Sequence, residues 1–140
     1  MRASYRRLLT GMAFCGSALA SATAFAAAPA TPTAETLINS TIEAIDSHHA
    51  LVTRVTIPAH VSLPPHAHPS EEFLYVISGE TVLMVDGEVE QRLTAGMAAK
   101  IPARTVHVAR TGDVTAEVIV FRVHPNGQPV RIPKEDTNHD

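Results

Sequence analysis

Three residues within one short stretch of the chain could bind a transition metal: His66, His68 and Glu72. In an extended chain, residues i and i+2 point to the same face, so His66 and His68 can direct two imidazoles to one point. Glu72 follows after a Pro-Ser break, at the entrance to an apolar run that is typical of a strand. Neutral imidazoles and a carboxylate are suitable ligands for a divalent transition metal.

His107 is the candidate for a fourth ligand. It follows a turn that begins at Pro102, and it lies on a predicted strand from Thr105 to Arg110. Inward and outward positions alternate in a small barrel, so His107 should share its face with Thr105 and Ala109. These small neighbours would leave room for a metal and a bound molecule.

Short alternating runs, separated by turn residues, predict the elements that must position these side chains. Asp86-Gly87 is a strong two-residue hairpin signal. We expect no helix of normal length after residue 50, and residues 36–46 could form an early strand or a short helix. The pattern indicates an all-β sandwich or barrel. The predicted strands cover residues 51–57, 72–78, 81–85, 89–93, 97–101, 105–110 and 115–123.

The N-terminal residues are typical of a secretory signal peptide. Arginines precede an apolar stretch over residues 8–19, and Ala24-Phe25-Ala26 has the form of an A-x-A cleavage site. Cuts after Ala20, Ala24 or Ala28 are the alternatives. We therefore expect a signal peptide over 1–26, a leader over 27–46, a barrel over 47–125 and a polar tail over 126–140, in a secreted or periplasmic protein.

The composition of residues 27–140 excludes several classes of partner. This part contains no cysteine, so no disulfide would stabilise it. It has 8 Lys and Arg against 14 Asp and Glu, a net charge of −6 with histidine neutral. An acidic, aromatic-poor chain without a basic run is not expected to bind nucleic acid or an anionic membrane.

Two groups of residues resemble the two motifs of the cupin family. The first has a His-x-His pair, a glutamate and a strand-ending glycine, and the second has a glycine, a proline and a histidine. The resemblance covers about residues 50 to 123 and implies a double-stranded β-helix (jelly-roll) barrel around a metal held by three histidines and one glutamate. The matching positions are His66, His68, Glu72 and Gly79, then Gly96, Pro102 and His107.

The chain departs from the family pattern at three positions, none of them a ligand. His60 replaces a glycine before the His-x-His pair, and Arg104 replaces a glycine after Pro102. Thr111 replaces the closing asparagine. The first two positions fall at turns, where glycine serves the backbone conformation.

Such a site leaves one or two coordination positions for a substrate, O₂ or water. The ligand types suit Fe, Mn, Ni, Zn, Co or Cu, and not Mg or Ca. One hypothesis is a metal-dependent oxygenase, isomerase or lyase of a small organic molecule, in which Glu72 could instead act as a base. The others are a non-catalytic periplasmic protein that binds a metal or small ligand, and a structural homodimer stabilised by the metal.

Several further side chains are expected to lie outside the site. Phe73, Tyr75 and Ile77 alternate with Glu72 and should face outward, onto an outer layer or a partner subunit, which favours a homodimer. His60 and Arg104 are expected in surface turns, with only a minor chance of contacting a substrate. His48 and His49 are expected in a turn on the surface, and His124 and His139, which lie at or beyond the last predicted strand, are expected to be incidental.

Overall fold

The computed structural model describes residues 30–134. The predicted signal peptide, residues 1–26, lies outside this range, as do His139 and the end of the tail. No helix within residues 30–134 is long and apolar enough to cross a membrane.

The described residues form ten strands. The predicted strands are found with shifts of one or two residues at most ends, but the strand predicted over 51–57 begins six residues earlier, at Ile45. The return strand of the Asp86-Gly87 hairpin, for example, begins at Gln91 rather than Val89. The strands are β1 (Thr33–Ile42), β2 (Ile45–Ile57), β3 (His66–Ala67), β4 (Glu72–Ser78), β5 (Glu80–Val85), β6 (Gln91–Thr94), β7 (Ala98–Ile101), β8 (His107–Arg110), β9 (Ala116–Pro125) and β10 (Ile132–Pro133).

The strands form two five-stranded sheets in which every pairing is antiparallel. The first sheet has the order β1-β2-β9-β4-β7, and the second has the order β10-β3-β8-β5-β6. Non-sequential neighbours such as β9 and β4 show that the chain crosses repeatedly between the sheets. This is the double-stranded β-helix barrel that the sequence predicts.

Alternation along each strand separates a buried face from an exposed one. In β4, Glu72, Leu74 and Val76 are buried, whereas Phe73 and Tyr75 are exposed, as predicted. The core takes side chains from both sheets, and its fully buried cluster consists of Leu74, Val76, Leu83, Val85, Leu93, Ile101, Val118 and Val120.

The two ends of the described chain are more ordered than the sequence suggests. Residues 33–42, expected within the leader, form β1, which pairs with β2 along almost its whole length. Residues 132–133, expected within the polar tail, form β10, which pairs with β3. Both segments have weak or no alternation in sequence, and their backbone hydrogen bonds come from partner strands far along the chain.

The three departures from the family pattern have clear local explanations. His60 and Arg104 both adopt the left-handed backbone conformation, with φ of 60° and 59°, which is the conformation that glycine favours. The Oγ1 of Thr111 donates to the carbonyl of Pro58 and accepts from the amide of Val61 at 3.1 Å. The threonine hydroxyl thereby closes the loop after β2.

Gly79 allows the chain to turn from β4 into β5. It has φ of +72°, and a Cβ there would lie 1.9 Å from the carbonyl oxygen of Thr115. We predict that Gly79→Ala lowers the free energy of unfolding by at least about 3 kcal/mol, because it adds a backbone clash to the strain of positive φ. Urea denaturation measures this loss.

Gly87 provides the matched control. Its φ is +82°, but a Cβ there would meet nothing within 4 Å. Gly87→Ala should therefore cost only the conformational strain, roughly 1 kcal/mol. Equal losses in the two variants would contradict the steric role of Gly79.

Candidate metal centre

The fold brings three histidines together at one end of the barrel. His66 in β3 is the direct antiparallel partner of His107 in β8, and His68 follows β3 by one residue. The ring centroids lie 4.3 Å apart for His66 and His107, 4.9 Å for His66 and His68, and 5.3 Å for His68 and His107. All three are buried, and each can place one nitrogen within 4.8 Å of the others, so the group could hold a metal ion.

Backbone carbonyls fix the orientation of all three rings. The Nδ1 of His66 contacts the carbonyl of Pro64 at 2.9 Å, and the Nδ1 of His107 contacts that of Thr105 at 3.1 Å. The Nδ1 of His68 contacts the carbonyl of Val130. A carbonyl only accepts, so each Nδ1 carries the proton and each Nε2 has a free lone pair. This arrangement is typical of metal-binding histidines.

Burial favours the neutral form of His66 and His107. Burial, reinforced by the nearby His107, lowers the pKa of His66 from 6.5 to about 4, although the hydrogen bond to Pro64 opposes the shift. Burial also lowers the pKa of His107. Because a metal binds the neutral form, both side chains are ready to act as ligands at neutral pH.

Glu72 reaches the cluster from the opposite sheet in company with Arg122. The pairing of Phe73 with Phe121 places Glu72 and Arg122 at the next cross-strand position of β4 and β9. Arg122 donates to Oε2 of Glu72 from Nη2 at 2.5 Å and from Nε at 3.0 Å. Burial alone would raise the carboxyl pKa, but the close contact with His68 and the charge of Arg122 lower the pKa to about 2.

The contacts of His68 show that the donor set fits a cation. Its Nε2 lies 2.9 Å from Oε2 of Glu72 and 3.1 Å from Nη2 of Arg122. With the proton on Nδ1, the Nε2 lone pair and the carboxylate oxygen are both acceptors, and Nη2 of Arg122 donates to both. An imidazole nitrogen and a carboxylate oxygen this close together are also a suitable pair of ligands for a divalent metal ion.

Two cavities meet at the centre. An inner cavity of about 70 Å³ extends into the apolar barrel, with His66, His107, Glu72 and Arg122 among its walls. An outer cavity of about 410 Å³ lies under β1 and is open to solvent, and its walls include His66, His68 and Arg122. Arg122 and His66 belong to both cavities, so a molecule in the outer cavity would contact the candidate metal centre directly.

A second histidine pair lies on the same inward face of the first sheet. His49 in β2 pairs with His124 in β9, their rings are 5.2 Å apart, and His49 lines the outer cavity. His124 is only 1% exposed, and its Nε2 donates to the carbonyl of Gln128 at 3.1 Å. His48 and His49 therefore lie in β2 rather than in the predicted surface turn, and His124 lies within β9.

Asn126 determines which nitrogen of His49 is basic. The Asn126 amide donates from Nδ2 to the carbonyl of Asp46 at 2.9 Å, so its Oδ1 is the atom that faces His49. That oxygen accepts from Nδ1 of His49 at 2.9 Å. The lone pair of His49 is consequently on Nε2.

Sequence reasoning named four residues for the site and missed others. The structure places His66, His68 and His107 together, and Glu72 contacts His68. Arg122 was missed because residues 118–121 of β9 are apolar on both faces, so alternation there does not reveal which residues point inward. Arg104, which was considered as a contact for a substrate, is exposed and belongs to neither cavity.

Comparison with known proteins is consistent with this geometry. A family model described as the cupin domain matches residues 53–122, half of the chain. The chain belongs to the cupin family. Among solved structures, the cupin barrel is similar to an RmlC-like cupin family protein of Methanocaldococcus jannaschii, with a TM-score of 0.57 and 19% identity over 68% of this chain and 82% of that one. At this identity, the likeness shows the fold alone.

Two relatives have named activities. Dimethylsulfoniopropionate lyase DddQ of Ruegeria pomeroyi is 36% identical over 59 residues, which are 42% of this chain and 29% of that protein. Its crystal structure superposes with a TM-score of 0.62 and 24% identity, covering 75% of this chain and 54% of that one. The polyketide cyclase RemF of Streptomyces resistomycificus gives a TM-score of 0.59 and 24% identity over 76% and 73% of the two chains. The sequence match thus spans less than a third of the lyase.

The buried pair of Glu72 and Arg122 leads to a stability prediction. Arg122→Met should destabilise the metal-free protein by about 3 kcal/mol, because it leaves a carboxylate buried without its cation. Adding Glu72→Gln should recover part of this loss, since the two side chains are coupled. Urea denaturation in the presence of a chelator measures both effects.

Arg110 and Glu90 provide an exposed ion pair for comparison. Their Nη2 and Oε2 atoms are 3.0 Å apart, and about half of each side chain is exposed. Arg110→Met should therefore change the free energy of unfolding by no more than about 1 kcal/mol. A similar effect for Arg122→Met would show that the buried pair contributes little to stability.

Proposed function

We propose that this cupin is a metal-dependent lyase or isomerase of a small organic molecule, and that the molecule binds in the outer cavity. The observation that carries the proposal is the convergence of three buried imidazoles, each oriented through Nδ1 by a backbone carbonyl, at the wall of an open cavity. His66, His68 and His107 would hold the metal, with Glu72 as the fourth ligand.

The cavity favours a reactive centre over a purely structural one. Structural zinc sites are closed by four protein ligands, whereas reactive metal sites keep a position for water or substrate. The outer cavity, about 410 Å³ in volume, has His66 and His68 in its wall, and ligand sites commonly have volumes of roughly 300–1,000 Å³. Fe, Mn, Ni, Zn, Co or Cu would supply Lewis-acid chemistry at this wall.

His49 is a better candidate than Glu72 for the base. A general base works best when its pKa is close to the working pH. The contact with His68 and the ion pair with Arg122 lower the pKa of Glu72 to about 2, so this carboxylate has little tendency to accept a proton. The Nε2 of His49 has a free lone pair, and Asn126 holds the ring at the cavity wall.

The named relative supports a non-oxidative reaction. Dimethylsulfoniopropionate lyase DddQ shares 36% identity with this chain over 59 residues. In an elimination from a three-carbon acid with a leaving group on C3, His49 would take the proton from C2. The electron pair of that C–H bond would form the C2=C3 double bond, and the leaving group would depart with the electrons of its bond to C3. This reaction needs a base and an electrophile but no O₂.

One set of purified variants tests the metal centre and the base together. Wild type should hold about one equivalent of metal and release an alkenoate from dimethylsulfoniopropionate, or from another three-carbon acid with a leaving group on C3. His107→Ala should lose at least about 90% of the metal and the activity. His49→Gln should keep the metal and lose at least about 100-fold in turnover. Elemental analysis and NMR of the products measure these changes.

His48→Gln is the matched control, because His48 precedes His49 on β2 and by alternation faces outward. It should keep both metal and turnover. Equal metal content in wild type and His107→Ala would overturn the metal centre. Oxygen consumption without an alkenoate product would show an oxygenase instead of a lyase. A metal-loaded protein that converts none of the acids and takes up no oxygen would favour a binding protein.

We also propose that the protein is a homodimer that uses the outer face of the first sheet. Phe73, Tyr75, Ile77 and Phe121 expose 37–49% of their surface there, and the rings of Phe73 and Phe121 are 6.2 Å apart. An apolar patch on a sheet face favours association with a second copy. Tyr75→Glu should give a monomer by light scattering, whereas Val89→Glu, at an 86% exposed loop position, should not. A monomeric wild type would contradict the proposal.

A location outside the cytoplasm is proposed on sequence grounds. The arginines, apolar stretch and A-x-A site within residues 1–26 support a secreted or periplasmic mature protein.

A further inference from the structure

The charge in the wall of the outer cavity is of one sign. No Asp or Glu is among the residues of 30–134 that line it, whereas two arginines are, Arg122 and Arg131. The chain as a whole carries more acidic than basic residues, with 14 Asp and Glu against 11 Lys and Arg. The charged residues of this cavity wall are therefore positive, although the chain as a whole has a net negative charge.

The two arginines differ in how far their charge is neutralised. Arg122 is buried and pairs with Glu72. Of the eight Lys and Arg side chains in residues 30–134, five form ion pairs with carboxylates, and Arg131 is not one of these. No carboxylate of residues 30–134 pairs with Arg131, which lies in the wall of the cavity.

The guanidinium of Arg131 is held in place without being saturated. Its Nη2 donates to the carbonyl of Pro64 at 2.7 Å. That same carbonyl accepts from Nδ1 of His66, so Arg131 and His66 share one hydrogen-bond acceptor beside the candidate metal centre. A guanidinium has five N–H donors in a fork that matches a carboxylate, and one bond to Pro64 leaves most of them free.

We propose that the outer cavity selects a small organic carboxylate and that Arg131 binds its carboxylate group. This inference rests on the proposed function, which makes the cavity the substrate site. The remaining walls suit the rest of such a molecule, because aliphatic side chains alternate with hydroxyl groups. They include Leu51, Val55, Leu63, Val130, Thr33 and Thr53. A cationic molecule of the same size would be repelled by Arg131 and by a bound metal.

Three ligands of equal size and different charge test this selection: butyrate, butyramide and butylammonium. Each is titrated into Co(II)-loaded protein and into metal-free protein, and binding is measured from the NMR line widths or saturation transfer of the ligand. Butyrate should bind at least about tenfold more tightly than butyramide in both forms, and butylammonium should bind more weakly still.

Variants assign the effect to Arg131. Arg131→Gln should weaken butyrate binding about tenfold and leave butyramide unchanged, whereas Arg131→Lys should retain most of the preference. Arg104→Gln is the matched control, because Arg104 is also a cation without a carboxylate partner among the described residues but lies outside the cavity. It should bind butyrate as wild type does.

The possible failures are distinguishable. Equal binding of butyrate and butyramide to wild type would overturn the selection of an anion, and unchanged butyrate binding by Arg131→Gln would overturn the role of Arg131. If the protein takes up no Co(II), the proposed metal centre fails, and the titrations of the metal-free protein still decide whether the cavity prefers a carboxylate.

Discussion

The contact between His68 and the ion pair of Glu72 and Arg122 joins the two sheets at the polar end of the barrel. His68 follows β3 of the second sheet, whereas Glu72 and Arg122 belong to neighbouring strands of the first. Charged groups that leave water must find partners, and here each carries out that role for the others. The positions of His66, His107 and the C-terminal segment are constrained by the same contact, because Val130 accepts from the far side of the His68 ring.

The barrel interior changes from apolar to polar along its strands. The inward residues of β9 are Ala116, Val118 and Val120, followed by Arg122 and His124. β2 is antiparallel to β9, and its inward residues also change from apolar to polar, from Ile57 at one end to His49 at the other. The apolar end supplies the core that stabilises the fold. The polar end could not be stabilised by apolar packing, so it depends on hydrogen bonds, ion pairs and bound groups.

The same division explains why catalysis and charge selection are assigned to one region. The cavities meet at Arg122 and His66, between the core and solvent. Burial on the inner side keeps the imidazoles of His66 and His107 neutral and available to a metal. On the outer side, His49 and Arg131 remain accessible, and backbone or amide contacts hold them in place. Such rigid orientation is what a reactive site requires of its polar groups.

The sequence by itself was sufficient for the barrel class, most strand positions and the three histidines. Alternation in β4 and the turn residues around Asp86-Gly87 are local signals, and the His-x-His spacing directs two rings to one side. Neither β1 nor β10 has a strong sequence pattern of its own, so only their pairing with β2 and β3 shows that these segments are strands.

Only the tertiary structure decided the positions of Arg122, His49 and Arg131 at the cavity. Residues 118–121 of β9 are apolar on both faces, so the inward direction of Arg122 became apparent only when β9 was paired with β4. His49 and Arg131 meet the cavity through contacts with Asn126 and Pro64, which lie 77 and 67 residues away in the chain. Periodicity describes one strand at a time, whereas charge balance and cavity walls are properties of strands brought together by folding.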